Sequence, residues 1–179
     1  MVYISKGSAM IVLTVNTGSS SVRLNIFRSE ADGQLEALAE AHHTYDGSEP
    51  QQMLKQFLAN NGLLSVALVS HRVVHGGNHF NAPCLLDNEV EREIMRLAPL
   101  APLHNPVALQ WIQAAREIMG TSVPQIAVFD TAFYAGLPQV AKTYAIPAKL
   151  SLKHGLRRYG FHGLAHVFPP HNFPLSLSG

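Results

Sequence analysis

Ile11-Val12-Leu13-Thr14-Val15-Asn16-Thr17-Gly18-Ser19-Ser20-Ser21-Val22-Arg23-Leu24-Asn25-Ile26-Phe27 is the stretch on which the fold class turns. Ile11 to Val15 is apolar and β-prone, and Val22, Leu24 and Ile26 alternate with Arg23, Asn25 and Phe27 at the two-residue period of a strand. Thr17 to Ser20 between them is Gly-Ser turn chemistry, so the stretch predicts a β-hairpin. Downstream of an Asp32-Gly33 turn, Leu35 to Tyr45 reads as a third strand that closes a meander, although its Ala and Glu content also suits a helix.

Working outward, Ser48-Glu49-Pro50-Gln51 has capping-box form, and Met53, Leu54, Phe57 and Leu58 repeat at helical spacing until Asn61-Gly62. Val66 to Val74 is almost continuously apolar and β-branched, the pattern of a buried central strand, and it carries Arg72 to its C-terminal end before Gly76-Gly77. Asn88 to Glu91 is a second capping box ahead of Val90, Ile94 and Leu97. Asn105-Pro106 predicts an N-cap and first helical position for a helix through Val107, Trp111, Ala115 and Ile118. Gln125 to Phe129 predicts another buried strand, ending at Asp130, and open α/β sheets place ligands at such strand ends. The order β-β-β-α-β-α-α-β predicts an α/β domain with a mixed sheet.

The chain has 179 residues, 47% hydrophobic and 14% charged, which is a globular composition with room for one well-cored domain. A net charge of +1 and the lack of any basic run argue against a nucleic-acid partner. One cysteine, Cys84, allows no internal disulfide, and no apolar run approaches the roughly 18 to 20 residues of a membrane span. Met1 to Met10 does not read as a secretion signal, so a reducing cytoplasm is the expected location.

Several residues carry chemistry, each with an ordinary alternative. Asn16-Thr17-Gly18-Ser19-Ser20-Ser21 can present backbone N–H groups and hydroxyls to a phosphate, or can be a plain serine-rich turn. Arg72 at a strand end suits anionic oxygens in a cleft, or a structural ion pair with Asp130. His71 and His75 would lie about 13 Å apart on a strand, too far for one metal ion. His104 precedes a helix start, where it can face an anion or bond its own loop. Asp130 can hold metal-bound water, orient an arginine or cap the next turn. His162 and His166 have helical metal-ligand spacing, but no further ligand follows and Gly163 weakens the helix.

Five segments, Asn16 to Ser21, Ser70 to Gly77, Pro102 to Pro106, Val128 to Phe133 and Tyr159 to Gly163, in this order, resemble the N-terminal half of the acetate and propionate kinase family. That resemblance implies a ribonuclease-H-like domain of the sugar kinase, Hsp70 and actin superfamily, transferring a phosphoryl group between ATP and acetate or propionate with Mg²⁺. It implies that Asn16, Ser19, Ser21 and Arg23 lie by the nucleotide phosphates, with Asn16 reaching the Mg²⁺ through water. It further implies that Arg72 and His162 stabilise the transferring phosphoryl group, that His104 touches its oxygens or the substrate, and that Asp130 orients Arg72 or the metal waters. Val74, Leu103 and Phe161 would line the acetate methyl pocket. Arg23 stands where the family usually has Lys, and Leu164-Ala165 replaces a hydroxyl-bearing pair.

The expected organisation is a kinase domain over 11–149, the start of a second domain over 150–167 and a tail over 168–179 outside the resemblance. Pro169, Pro170 and Pro174 deny that tail a helix, which suggests a frameshift or premature stop with the second domain missing. The expectation is thus a phosphotransferase by descent, inactive as an isolated chain. The alternative is a non-catalytic remnant or interaction module, or one half of a split kinase. Asn16, Ser19, Arg72 and Asp130 are expected on one open face. Residues from about Leu150 onward are expected to pack poorly and to favour self-association through uncovered apolar surface.

Overall fold

The computed structural model describes residues 9–45 and 49–167. Ser48, the side chain of His166 and the 168–179 tail lie outside the described residues. The elements are β1 (Met10–Thr17), β2 (Ser21–Ser29), β3 (Leu35–Thr44), α1 (Pro50–Asn60), β4 (Leu68–Val73), β5 (Cys84–Leu85), α2 (Asn88–Arg96), α3 (Asn105–Met119) and β6 (Gln125–Phe129). After β6 come a 3-10 segment (Asp130–Gly136), α4 (Gln139–Lys142), α5 (Ala148–His154) and α6 (Gly163–Val167). The boundary expected at 149/150 falls inside α5.

The predicted hairpin forms with Thr17 opposite Val22, and β3 adds to β2, so the meander is antiparallel. β3 is a strand despite its Ala and Glu content because pairing to β2 outweighs intrinsic propensity. A bulge opposite Ile26 and Phe27 leaves Leu38 without a register partner there. β4 and β6 then extend the sheet in parallel, giving the order β3-β2-β1-β4-β6-β5, a mixed α/β sheet as expected. The two-residue β5, antiparallel to β6, escapes sequence reading because a pair of residues has no periodicity to detect.

Register assigns the two faces of the sheet. Ile26, Leu13, Val69 and Gln125 form one cross-strand row and Leu24, Val15, His71 and Ala127 the next. All eight are buried. With Met53, Leu54, Phe57 and Leu58 of α1 and Trp111, Ala115 and Met119 of α3, most of this face forms the main core. Val73, Ala127 and Phe129 meet Ile94 of α2 and Ala108 of α3 in a second cluster. Trp111 is fully buried, so truncation to Ala would cost about 3–5 kcal/mol.

Helix starts differ from the sequence reading by one residue at three places. At α1 the N-cap is Glu49, with no side-chain cap bond, and Pro50 opens the helix. At α2 the cap is Asp87, whose carboxylate accepts from Glu89 N and Val90 N at 2.9 and 2.8 Å, leaving Asn88 as the first helical residue. At α3 the N-cap is His104, and Asn105 is the first helical residue. Asn105 is fully buried and bonds a neighbouring loop instead of its own helix.

Candidate functional site

The face opposite the main core carries the site. Arg23 of β2, Asn16 of β1, Arg72 of β4 and Val128 of β6 are successive register partners, which places the four side chains in one row on one face. Asp130 follows Val128 by one strand period. The sequence therefore delivers an acid and a base, 58 residues apart, to adjacent parallel strand ends.

Asp130 is fully buried. Its Oδ1 and Oδ2 accept from Arg72 Nε at 3.2 and 3.1 Å, and Oδ2 also accepts from Arg72 Nη2 at 2.6 Å. Arg72 Nη1 donates to Asn16 Oδ1 at 3.1 Å and to the Thr17 carbonyl at 3.4 Å. A planar guanidinium held along one edge by a buried carboxylate has little freedom, and its other edge faces the hairpin turn. Both carboxylate oxygens of Asp130 accept from Arg72, so the acid holds the arginine in one orientation.

The turn itself is closed by Gly18 N donating to the Ser21 carbonyl at 2.7 Å and by Tyr45 N donating to the Ser20 carbonyl at 3.0 Å. Ser19 is exposed at its tip and Ser21 is half-buried at the start of β2. Arg23, on the same row, spends its guanidinium on Glu40 of β3 at 3.2 Å.

His104 sits half-buried at the start of α3. Burial pushes its pKa below the ordinary histidine value; the nearby charges of Arg72 and His162 add to this and the Asp130 carboxylate opposes it. His104, His162, Arg72 and Asp130 are thus electrostatic neighbours. His162 is exposed and has φ of 57°, the left-handed region that a side-chain-bearing residue seldom adopts. Gly163 follows with no room for a Cβ, which would overlap the Asp130 carbonyl.

Of the three residues expected at a methyl pocket, Val74 is buried just past β4, whereas Leu103 and Phe161 are exposed. Phe161 lies against His75, the residue after Val74, with ring centroids 5.8 Å apart.

A supporting network went unread in the sequence. Asn105 Oδ1 accepts from His75 N at 3.2 Å, and its Nδ2 donates to the His75 and Ile94 carbonyls at 3.0 and 3.3 Å. Gly76 N donates to Thr131 Oγ1 at 2.9 Å, tying the glycine loop to the residue after Asp130. Both lie within the motifs quoted above, but a cap-like Asn-Pro pair masks the buried role of Asn105. Among the described residues no cluster of three His, Cys, Asp or Glu side chains has metal-binding geometry, and no helix is long and apolar enough to cross a membrane.

A family model described as the Acetokinase family matches residues 48–173, running past Val167. An acetate kinase of Pseudarthrobacter chlorophenolicus is 39% identical over 177 residues, covering 89% of this chain and 45% of the relative. An acetate kinase of Deinococcus deserti is 52% identical over 103 residues, covering 58% of this chain and 26% of the relative. Among solved structures, a propionate kinase of Francisella tularensis superposes with a TM-score of 0.73 at 34% identity, covering 88% of this chain and 46% of that one. The Porphyromonas gingivalis acetate kinase gives 0.72 at 31% identity, with the same coverages, 88% and 46%. The chain therefore spans about half the length of the relatives that match most of it.

Proposed function

The chain belongs to the Acetokinase family, and from that premise we propose that it forms the phosphoryl-binding wall of an acetate kinase-like phosphotransferase acting on ATP and acetate or propionate. The observation that carries this reading is the Arg72 guanidinium, fixed by Asp130 along one edge and turned toward Asn16 and the serine turn along the other.

The reaction needs little acid–base help. Acetate is ionised at neutral pH, so its carboxylate oxygen attacks the γ-phosphorus directly. A new O–P bond forms, the bond from phosphorus to the β,γ-bridging oxygen breaks, and that electron pair leaves on ADP. The obstacle is bringing one anion against another, and it is lowered by fixed positive charge and by orientation. Arg72 supplies the charge, and a phosphoryl oxygen would displace Asn16 Oδ1 as the acceptor of Nη1–H. His104 and His162, which share charge interactions with Arg72, would donate N–H bonds to the remaining equatorial oxygens. Phe161 and Leu103 offer apolar surface for the methyl group.

Magnesium fits this donor set as an ion held mainly by nucleotide phosphates, with Asn16 Oδ1 and the Ser19 and Ser21 hydroxyls as neutral oxygens at hand. When bound it neutralises charge on the phosphates.

The test is a titration of the 179-residue chain with acetyl phosphate, read on the Arg72 Nε–H and histidine side-chain NMR resonances. An acetyl hydroxamate assay is run in parallel beside a full-length relative. Millimolar binding that perturbs Arg72, His104 and His162 together and vanishes in Arg72→Ala is the expected result, with no turnover above background. Acetyl phosphate that leaves those resonances unmoved would refute the site.

A further inference from the structure

We propose that Asn78 is a positioning residue for this site, its side-chain carbonyl pinning the segment that bears Phe161 and His162 to the loop that follows the Arg72 strand. The proposal rests on the reading of Phe161 and His162 as site residues.

Asn78 Oδ1 accepts from Arg157 Nη1 at 2.6 Å and from the Tyr159 hydroxyl at 3.0 Å. Those are two donors from a chain segment about 80 residues downstream. Together they use both lone pairs of one amide oxygen, and because both partners donate, the amide can face only one way. The Arg157 guanidinium also lies 5.0 Å from the centre of the Tyr159 ring, which holds the two donors together. Tyr159 in turn meets His75 edge-on at 4.5 Å.

The anchor side of this latch is rigid. His75 is buried, bonded at N and at its carbonyl by Asn105, and its Nδ1 accepts from Gly77 N at 3.1 Å. The tethered side is not rigid by itself. Residues 157–162 belong to no helix or strand, and His162 takes a left-handed conformation that surrounding contacts must impose. Tyr134 holds the far end through its hydroxyl bond to the Phe161 carbonyl at 2.8 Å. The Asn78 acceptor holds the near end, so the segment is fastened on both sides of Gly160. An imidazole misplaced by one ångström at a phosphoryl group loses much of its effect, and the hydrogen bonds of Asn78 go to Asn81, Arg157 and Tyr159. Its contribution is made through Tyr159 and Arg157.

The experiment compares the 179-residue chain with Asn78→Leu, Asn78→Asp and Tyr159→Phe. Amide exchange, histidine titration by NMR and the response to inorganic phosphate are measured on each. In Asn78→Leu, exchange across 157–163 should quicken at least tenfold. His104 should also titrate at higher pH, since the His162 charge is no longer held near it while Arg72 and Asp130 stay in place. Asn78→Asp keeps an acceptor oxygen for both donors and should behave as the parent; Tyr159→Phe should give an intermediate result, which preserves the test if Asn78→Leu does not fold. Parent-like exchange and His104 titration in Asn78→Leu would overturn the proposal, as would an Asn78→Asp variant as loose as Asn78→Leu. Phosphate should move Arg72, His104 and His162 in the parent and spare only His162 in Asn78→Leu. If phosphate moves none of them in the parent, the phosphoryl-binding reading falls and the positioning role falls with it, while the exchange data still report whether the latch exists.

Discussion

Arg72 and Asp130 meet at the ends of two adjacent parallel strands so that the carboxylate occupies Nε and Nη2 and leaves Nη1 to the hairpin turn. This one contact joins three of the segments read from the sequence, and it decides what each of them can do. A mobile arginine at a strand end would be a diffuse charge. Locked by a buried acid, it becomes a directed pair of N–H groups. The acid also consumes part of the positive field, so the wall attracts an anion only modestly by itself.

Breaking this pair from either side should cost about 3 kcal/mol, because the charge left behind is mostly out of water. Arg72→Met strands the carboxylate and Asp130→Leu strands the guanidinium, whereas the double variant strands neither. Urea unfolding of all four forms should give a coupling energy of about 2 kcal/mol or more. Additive losses would mean that the pair is held by its surroundings and contributes nothing mutual.

Acid should unfold the protein partly through His71. Burial, with the Arg116 charge adding to it, pulls its pKa from the ordinary 6.5 to about 4. The unfolded chain takes up the proton from about pH 6.5 downward and the folded chain only near 4. This contribution is therefore complete above pH 6.5 and is lost as pH falls toward 4, amounting to about 3 kcal/mol. Comparing urea midpoints at pH 7 and pH 4.5 in the parent and in His71→Gln isolates it. The variant should start lower and fall less, and equal slopes would remove His71 as the cause.

What the sequence made legible follows from which interactions are local. The hairpin, the meander and the order of strands and helices are written in periodicities of two and about four residues, so these elements stand as expected. Asn16, Arg72 and Asp130 were readable as a converging set because strand ends in one sheet converge by topology. Cap positions slipped by one residue because Asp87 and Asn88, or His104 and Asn105, offer competing polar groups, and tertiary partners decide among them. The latch at Asn78 and the clamp at Asn105 were invisible for the same reason: each is a polar side chain whose partners lie well outside its own turn, 11 and 30 residues away for Asn105 and about 80 for Asn78.

Asn105 should prove more costly to replace than an ordinary helix-start residue. A cap loss costs about 1 kcal/mol, but here three bonds to buried backbone are lost, on His75 N and on the His75 and Ile94 carbonyls. Asn105→Ala should therefore destabilise by about 3 kcal/mol. Asn105→Asp should recover little of this, since a carboxylate cannot donate to the two carbonyls. A loss near 1 kcal/mol for both variants would show that water replaces the clamp.

The region after β6 should behave as a loosely held apolar surface. Neither α4 nor α5 contains a buried residue, and Val140 and Leu152 are 83% and 84% exposed, with Leu137, Tyr144, Leu150 and Leu156 also exposed near them in sequence. Each hundred Å² of such surface left in water forgoes about 2.5 kcal/mol of burial, which favours association with whatever apolar surface is available. The purified chain should bind a hydrophobic dye and sediment with a concentration-dependent mass. Replacing Val140 and Leu152 by Lys should reduce both effects while shifting stability by no more than about 0.5 kcal/mol, as expected of surface positions. A parent chain that stays monomeric and dye-free at high concentration would contradict the exposed arrangement of α4 and α5. A large stability loss in the double Lys variant would do so too, because it would mean these side chains are packed in solution.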